Sequence, residues 1–477
     1  MNRIYFILLF FCLTANLSAQ NGHRIEIGIE GYEEKSLMLG FYYGDKTLLK
    51  DTAYVNDQGT YVFEGEEALD PGMYLVVLQP DNNYFQLLID QTEQFFKVQT
   101  KKAELTKNLE FENAPENELF YSYLKYLGDA RPASEKLQKA YAEAKDKAEK
   151  QKIEGQINQL NQKVQDFQSD LVAKHPKSFT ALIINSNKPV PSPPAFEGAE
   201  EEVQRKNWYF HRQHYFDHID VADQRLIRTP FFFEKINTYI EKLHFQTPDS
   251  LKNAMDDLLD KIEPSPETYK FFLIHYLNKY ASSKVVGMDA VYVHLALNYY
   301  GKGKADWVEQ EQLGKILKDA KKLEPLLIGK KAPNIKSQRQ DGTKVEMYDV
   351  NAEYTIVYFW RYDCGHCKKS TPFMRDFYNK YKDQGVKIYS ICTKQGKEIP
   401  GCWDYIKENE VEDWMHTVDP YGLYMLDYDV KTTPQMYILN KDKEIIMKKI
   451  GAEQLEEVMD KIIEMNKKEK EAEGDDR

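Results

Sequence analysis

Hydrophobic and polar positions alternate in short stretches over the N-terminal part of the chain. Residues 24–29 alternate strictly, whereas residues 73–78 and 84–89 are apolar runs that follow turn-forming Asp, Pro, Gly and Asn residues. Short strands separated by frequent turns are typical of sandwich and barrel folds. We therefore predict an all-β sandwich over residues 20–105, and the sequence shows no catalytic constellation within it.

The pattern becomes helical over residues 115–322. Its clearest stretch places apolar residues at alternating spacings of four and three positions, which is an a/d seam of roughly three heptads. The residues of this seam are Ile153, Ile157, Leu160, Val164, Phe167 and Leu171. Such a seam serves either a helix that packs inside its own domain or a homodimer. We predict an α-helical middle domain over residues 115–322 and keep a homodimer through it as the alternative.

A third pattern, over residues 327–466, combines strands and helices. Residues 354–360 form an apolar, β-branched and aromatic run, and an amphipathic stretch follows. Cys364 and Cys367 lie between them, where the helix should begin. Helix-end amides favour a negatively charged sulfur, and a second thiol one turn further on can close a disulfide with it. The pattern predicts a redox-active Cys364–Cys367 pair that performs thiol–disulfide exchange.

Metal binding is the main alternative for these cysteines. A zinc site would need a second ligand pair, but Cys392 and Cys402 have no paired histidine. His211, His214 and His218 share one face of a predicted helix, yet aromatic residues separate them and no partner helix is evident. We interpret that segment as an ordinary aromatic helix. We predict no metal and no other cofactor.

Further residues give the C-terminal region a family resemblance. Pro434 stands immediately before a short apolar strand, and proline is tolerated at the start of a strand. The region resembles the thioredoxin superfamily, specifically its TlpA/ResA-type periplasmic branch. The matching residues are Trp360, Cys364, Cys367, Pro372 and Thr433-Pro434. The resemblance implies an α/β thioredoxin fold, protein disulfide or dithiol substrates, a redox partner protein, and a cis peptide bond before Pro434. It also implies that Thr433, Pro434 and Trp360 bind the substrate.

The resemblance assigns different roles to the two cysteines. It implies that Cys364 is the exposed attacking thiolate and that Cys367 is a buried resolving thiol. An imidazolium at His366 would stabilise the thiolate, whereas the carboxylate of Asp363 would raise the pKa of Cys364. Tyr358 occupies the position of the buried aspartate of thioredoxin. The sequence therefore does not identify a proton acceptor for Cys367.

Cys392 and Cys402 form a second pair of thiols. Cys392 ends the predicted strand 386–392, at the sheet rim where Cys364 should also lie. Cys402 begins the next helical stretch. A disulfide between them requires Cα atoms within about 7 Å. Two unbonded thiols are the alternative.

The two ends of the chain differ from the rest. Residues 1–19 combine a positive start, an apolar run and small residues before a cleavage point, which predicts a secretory signal peptide. We therefore expect a periplasmic protein without stable membrane insertion, in a compartment that permits disulfides. Residues 467–477 are a charged run that we predict to be a disordered tail.

Composition narrows the classes of function. The net charge is −12 with both signs interspersed, which argues against nucleic acid as a partner.

We predict an exported thiol–disulfide oxidoreductase. A peroxiredoxin-like peroxidase is disfavoured because no Thr-x-x-Cys leads to Cys364. A partner-binding scaffold with a vestigial dithiol is the non-enzymatic alternative. The sequence does not give the direction of electron flow.

Overall fold

The computed structural model describes residues 22–475, with side chains as far as residue 468. The predicted signal peptide, residues 1–19, lies outside the described residues. The chain divides into two compact units, residues 22–243 with 261–269 and residues 244–260 with 270–475. The helical region that we predicted as one domain over residues 115–322 is thus shared between the two units.

The first unit begins with two four-stranded sheets. Their strands are β1 (His23–Glu30), β2 (Ser36–Tyr43), β3 (Lys46–Tyr54), β4 (Thr60–Gly65), β5 (Gly72–Leu78), β6 (Asn83–Ile89), β7 (Phe95–Lys101) and β8 (Glu110–Glu112). The sheet orders are β4-β1-β7-β8 and β3-β2-β5-β6. Alternating residues such as Ile25, Ile27, Leu37 and Leu39 meet in one buried core. This arrangement confirms the all-β prediction for the N-terminal region.

Five helices complete the first unit: α1 (Pro115–Glu143), α2 (Lys147–Lys174), α3 (Phe179–Ser186), α4 (Glu200–Gln213) and α5 (Phe232–Lys242). The predicted heptad seam lies on α2, which packs against α1 of the same chain. The rings of Tyr126 and Phe167 stack with centroids 3.8 Å apart, and Gln168 donates to the Tyr123 hydroxyl at 3.0 Å. The seam therefore has a partner within its own chain.

The three histidines do not share a helical face. Helix α4 ends at Gln213, so His214 and His218 follow it in a turn. The Nδ1 atom of His214 lies 2.6 Å from Asp217 Oδ2. Our expectation of a single helix through all three residues was wrong because this local interaction closes the helix early.

The second unit contains helices α6 (Pro248–Ile262) and α7 (Pro266–Ala281) for most of their lengths, then α8 (Asp289–Leu295) and α9 (Gln310–Leu323). An α/β region follows, with elements β9 (Lys336–Gln338), β10 (Lys344–Glu346), β11 (Tyr354–Trp360), α10 (Gly365–Tyr381), β12 (Val386–Cys392), α11 (Ile399–Glu408), β13 (Met415–Val418), α12 (Tyr424–Asp427), β14 (Gln435–Leu439), β15 (Ile445–Lys448) and α13 (Leu455–Asp475).

One seven-stranded sheet organises this region, in the order β10-β9-β13-β12-β11-β14-β15. Strands β11, β12 and β13 are parallel, and β14 joins β11 in antiparallel register. Every residue of β11 is buried, with Ile356 and Tyr358 in one core cluster and Val357 and Phe359 in another. Helices cover both faces, as a continuous apolar strand requires. The α/β thioredoxin fold predicted for this region is confirmed.

The end of α13 differs from the prediction. Residues 467–475, predicted to be disordered, continue the helix. Lys and Glu recur four positions apart there, and Lys468 lies 2.7 Å from Glu464. Such pairs stabilise an exposed helix in spite of its high charge. Among residues 22–475, none of the helices has the length and apolar content needed to cross a bilayer.

Candidate active site

The topology brings both cysteines and the Thr433-Pro434 segment to one end of the sheet. Cys364 follows the end of β11 after three intervening residues and is the N-cap residue of α10. The peptide bond between Thr433 and Pro434 is cis, as the resemblance implied, and β14 begins one residue later. Because β14 pairs with β11 in the register Gln435 to Phe359, the segment lies beside the loop that carries Cys364.

Cys364 has the environment of a stabilised thiolate. Its sulfur accepts the backbone N–H of Cys367 at 3.3 Å, and its thiol donates to the carbonyl oxygen of Thr433 at 3.2 Å. Partial burial opposes ionisation of Cys364. Hydrogen bonds from the side chain and backbone of Cys367, from the side chain of Thr433 and from the backbone of His366 outweigh burial, so the pKa of Cys364 is lowered. A lowered pKa increases the thiolate fraction near neutral pH.

Cys367 has the opposite environment. It is fully buried, one turn into α10. Burial, and after it the hydrogen bond with Cys364, raises the pKa of Cys367 to about 12. The two thiols therefore differ in both access and acidity. This arrangement can carry out attack at Cys364 followed by resolution at Cys367.

Tyr358 lies beneath the dithiol in the position where thioredoxin has an aspartate. Its side chain is 2% exposed, and its hydroxyl has no hydrogen-bond partner among the described residues. Burial raises the pKa of Tyr358 well above its usual value, and the nearby Cys367 raises it further. Tyr358 therefore stays protonated near neutral pH, and it cannot supply the missing proton acceptor for Cys367.

Asp363 is not the lone carboxylate that the sequence suggested. Its Oδ2 atom lies 2.9 Å from Lys394 Nζ, and its Oδ1 atom lies 3.3 Å from Arg361 Nε. The hydrogen bond from Lys394 lowers the pKa of Asp363, and the charge of Arg361 adds to this effect. Sequence analysis missed Lys394 because the contact joins two loops distant in the chain, and no local motif marks it.

Three further predicted site residues occupy different depths. The side chain of His366 is exposed, whereas Pro434 is partly buried at the mouth of the site. Trp360 is 3% exposed, and its indole N–H donates to Ser390 Oγ at 2.6 Å. The prediction that Trp360 contacts the substrate is therefore corrected, because the side chain is enclosed in the core behind the cysteines.

Cys392 and Cys402 are joined by a disulfide, with Cα atoms 6.3 Å apart. Of the two alternatives that the sequence allowed, the bonded one is present. Cys392 lies beside Trp360 in the register of β12 and β11. Both half-cystines are buried. The crosslink closes the loop over residues 393–401, next to the candidate site.

Within the residues whose side chains are placed, no group of three or more His, Cys, Asp or Glu residues is arranged to hold a metal ion. Cys364 and Cys367 are both free thiols.

Two family models match parts of the chain. Residues 328–448 match the AhpC/TSA family, and residues 143–323 match a Domain of unknown function (DUF5106). The first match contains both site cysteines and Pro434. The second lies within the helical region, to which it assigns no activity.

Curated relatives match the same C-terminal region. Thiol-disulfide oxidoreductase ResA of Bacillus cereus is 30% identical over 142 residues, which are 29% of this chain and 80% of that protein. Sporulation thiol-disulfide oxidoreductase A of Bacillus subtilis is 33% identical over 109 residues, 22% of this chain and 64% of that protein. Among solved structures, a domain of a possible thiol-disulfide isomerase from Cytophaga hutchinsonii is 34% identical, with a TM-score of 0.28, and covers 30% of this chain and 98% of that chain.

The C-terminal α/β region thus has a thioredoxin fold and a Cys-x-x-Cys sequence at the start of a helix. It also matches a curated relative over most of that relative's length. The chain belongs to the ResA-type thiol-disulfide oxidoreductases, enzymes with a thioredoxin-like domain.

Proposed function

We propose that this protein is an exported enzyme that exchanges disulfides with protein substrates through Cys364 and Cys367. One observation carries the proposal. The sulfur of Cys364 lies at the start of α10, 3.2 Å from the carbonyl oxygen of Thr433, while Cys367 is buried behind it. An accessible thiol with a lowered pKa beside a buried thiol is the arrangement that two-step exchange requires.

In the reductive direction, the thiolate of Cys364 attacks one sulfur of a substrate disulfide. A mixed disulfide forms, the substrate S–S bond breaks, and the second substrate sulfur leaves and takes up a proton. Cys367 then loses its proton and attacks the sulfur of Cys364. The Cys364–Cys367 disulfide forms as the mixed disulfide bond breaks. The departing substrate sulfur takes up the proton that Cys367 released, so the substrate leaves with both of its thiols. Two electrons pass to the substrate, and a reducing partner protein must restore the dithiol.

Thr433 and Pro434 form the substrate platform in this proposal. Pro434 has no N–H, and the carbonyl oxygen of the preceding residue, Thr433, faces the sulfur of Cys364. An extended substrate segment can pair with main-chain groups at Thr433, as in strand addition to an exposed edge. Such pairing would hold a substrate sulfur close to Cys364.

His366 and Asp363 are assigned to tuning of the dithiol. The backbone N–H of His366 stabilises the Cys364 thiolate, and an imidazolium on its exposed ring would add to that effect. Stabilisation of the reduced form makes the disulfide a stronger oxidant. The carboxylate of Asp363 destabilises the thiolate and so makes the disulfide a weaker oxidant, to the extent that Lys394 and Arg361 do not compensate its charge.

Export to the periplasm is part of the proposal. The N-terminal sequence has the composition of a cleaved secretory signal. The Cys392–Cys402 disulfide supports an oxidising location, since structural disulfides persist mainly outside the cytoplasm. Fractionation of cells that express the full chain tests this point, with the mature protein expected in the periplasmic fraction.

Self-association through the helical region is a separate proposal. Several seam residues of α2, including Ile157 and Val164, are only half-buried against α1, so apolar surface remains for a second copy. Light scattering of the purified protein tests it. A mass of one chain at micromolar concentration would exclude a stable homodimer.

Insulin reduction in the presence of a thiol reductant tests the activity itself. We expect the wild-type protein to accelerate precipitation of the insulin B chain, and the Cys364→Ser variant to lose this activity. An inactive wild type would favour the scaffold alternative. Peroxide consumption, measured alongside, distinguishes a peroxidase from an exchange enzyme.

A further inference from the structure

A four-membered charge cluster surrounds the residue that precedes the nucleophile. Asp363 contacts Arg361 and Lys394, and Lys394 Nζ also lies 2.6 Å from Glu398 Oε1. Two negative and two positive groups thus balance one another. Without Lys394, Glu398 would lose this ion pair, and Asp363, which is adjacent in sequence to Cys364, would keep only its contact with Arg361.

Lys394 is held more firmly than an ordinary surface lysine. It is 9% exposed, and its Nζ atom lies 5.3 Å from the centre of the Tyr362 ring. The preceding residue, Thr393, donates its backbone N–H to Trp360 O at 2.9 Å. The side chains of Asp363 and Glu398, which Lys394 contacts, are 44% and 56% exposed. A pair with one buried member is still screened less by water and salt than a fully exposed pair.

The Cys392–Cys402 disulfide fixes the loop that carries Lys394. The two half-cystines stand ten positions apart in the chain, one at the end of β12 and the other inside α11. Lys394 follows Cys392 by two residues, so the crosslink limits the movement of its backbone. The Cys392–Cys402 disulfide therefore favours a backbone position from which the ammonium group reaches Asp363.

We propose that Lys394 is a positioning residue. Its positive charge compensates the negative charge of Asp363 and so preserves the reactive thiolate of Cys364. This inference rests on the proposed role of Cys364 as the nucleophile. Lys394 touches no reacting atom. It acts through Asp363, and the carboxylate of Asp363 would otherwise raise the free energy of a neighbouring thiolate.

Other groups near Cys364 do not replace this function. Tyr358 and Cys367 stay neutral near pH 7, because burial raises the pKa of each. The ring of His366 is exposed on α10. Arg361 contacts Asp363 at 3.3 Å, but its side chain is 46% exposed. Solvent therefore screens Arg361 more strongly than Lys394.

The test measures alkylation of Cys364 by iodoacetamide in the reduced full-length protein, followed by peptide mass spectrometry between pH 5 and pH 9. Lys394→Met removes the charge and keeps the aliphatic stem. We expect it to slow alkylation of Cys364 at pH 7 by about three- to tenfold and to move the pH profile upward. Lys394→Arg keeps the charge and should retain most of the wild-type rate. Lys397→Met, in an exposed part of the same loop, is the matched control and should have no effect.

The Asp363→Asn background separates charge from structure. If Lys394 acts by neutralising Asp363, Lys394→Met will slow alkylation in the wild type but have little effect beside Asp363→Asn. An equal slowing in both backgrounds, or an unchanged rate in the single variant, overturns the proposal. The readout needs no protein substrate. Failure of the proposed exchange activity would therefore appear in the insulin assay, whereas failure of this inference would appear in the alkylation profile.

Discussion

The thiol of Cys364 donates a hydrogen bond to the carbonyl oxygen of Thr433 across 3.2 Å, although 69 positions separate the two residues in the sequence. The contact exists because β14 pairs with β11, which places the start of one strand beside the end of the other. The Thr433 carbonyl group, which a substrate strand would pair with, therefore also contacts the sulfur of Cys364, which would attack the substrate disulfide.

Replacement of Pro434 by Thr tests this platform. The variant gains a backbone N–H and loses the ring that restricts the backbone at this position, so the Thr433 carbonyl group should be held less firmly beside Cys364. We expect exchange with insulin to slow by about tenfold or more, because positioning of a protein substrate is lost. Exchange with a small aromatic disulfide should change by less than about threefold, since it needs no backbone pairing. Equal losses for both substrates would contradict the platform role.

Two substitutions of His366 separate its backbone from its ring. His366→Pro removes the backbone N–H that stabilises the Cys364 thiolate together with the imidazole, whereas His366→Ala removes only the imidazole. We expect the Pro variant to be the more reducing by about 30 mV or more in glutathione equilibration. The Ala variant should move in the same direction by a smaller amount. Identical potentials in all three proteins would remove His366 from the tuning of the dithiol.

His416 predicts an acid-sensitive core. Its Nε2 atom lies 2.7 Å from Val411 O and its Nδ1 atom 3.1 Å from Ser390 Oγ, so the neutral ring satisfies both groups when Nε2 carries the proton. Burial lowers the pKa of His416 to about 4, whereas the unfolded chain has a value near 6.5. The unfolded state therefore binds more protons between these values, and stability falls as the pH decreases through this window.

We expect His416 alone to lower the free energy of unfolding by about 2–3 kcal/mol between pH 7 and pH 4.5. Urea unfolding monitored by tryptophan fluorescence measures it. The His416→Asn variant should lose less stability than the wild type over the same interval, although it starts from a lower value. An equally steep dependence in the variant would assign the acid sensitivity to other groups.

The Cys392–Cys402 disulfide should stabilise the α/β region. Its ten-position separation corresponds to about 2–3 kcal/mol in the chain-entropy model. The double variant Cys392→Ser, Cys402→Ser should therefore unfold at lower urea concentration. If Lys394 depends on the crosslink, alkylation of Cys364 in this variant should also slow, while Lys394→Met causes little further change. An unaltered urea midpoint would show that the disulfide contributes no net stability.

Local patterns predicted much of the fold and the dithiol, because each depends on residues close in sequence. The apolar strand, the following helix and the cysteines at its start are adjacent, and the seam of α2 has a regular period. The depth of Trp360 could not be predicted in this way. Every position of β11 is buried, so the sequence shows no alternation that would separate a site-facing residue from a core residue.

Contacts between segments that are distant in the sequence could not be predicted either. Lys394 meets Asp363 only because β12 and β11 are neighbours in the sheet, and the sequence does not specify the order of strands. The disulfide between Cys392 and Cys402 was allowed but not required, since its formation depends on where α11 begins. The ends of helices α4 and α13 were also misplaced, because hydrophobic periodicity does not mark where a helix stops.

Trapping with the Cys367→Ala variant tests the central claim most directly. Without the resolving thiol, a mixed disulfide between Cys364 and a protein substrate should persist, and mass spectrometry of the nonreduced adduct should map the bond to Cys364. The matched Cys364→Ala variant, whose remaining site thiol is buried, should form little adduct under the same conditions. Adduct formation at Cys367 in that variant at an equal rate, or no adduct at Cys364 in the trapping variant, would contradict the account.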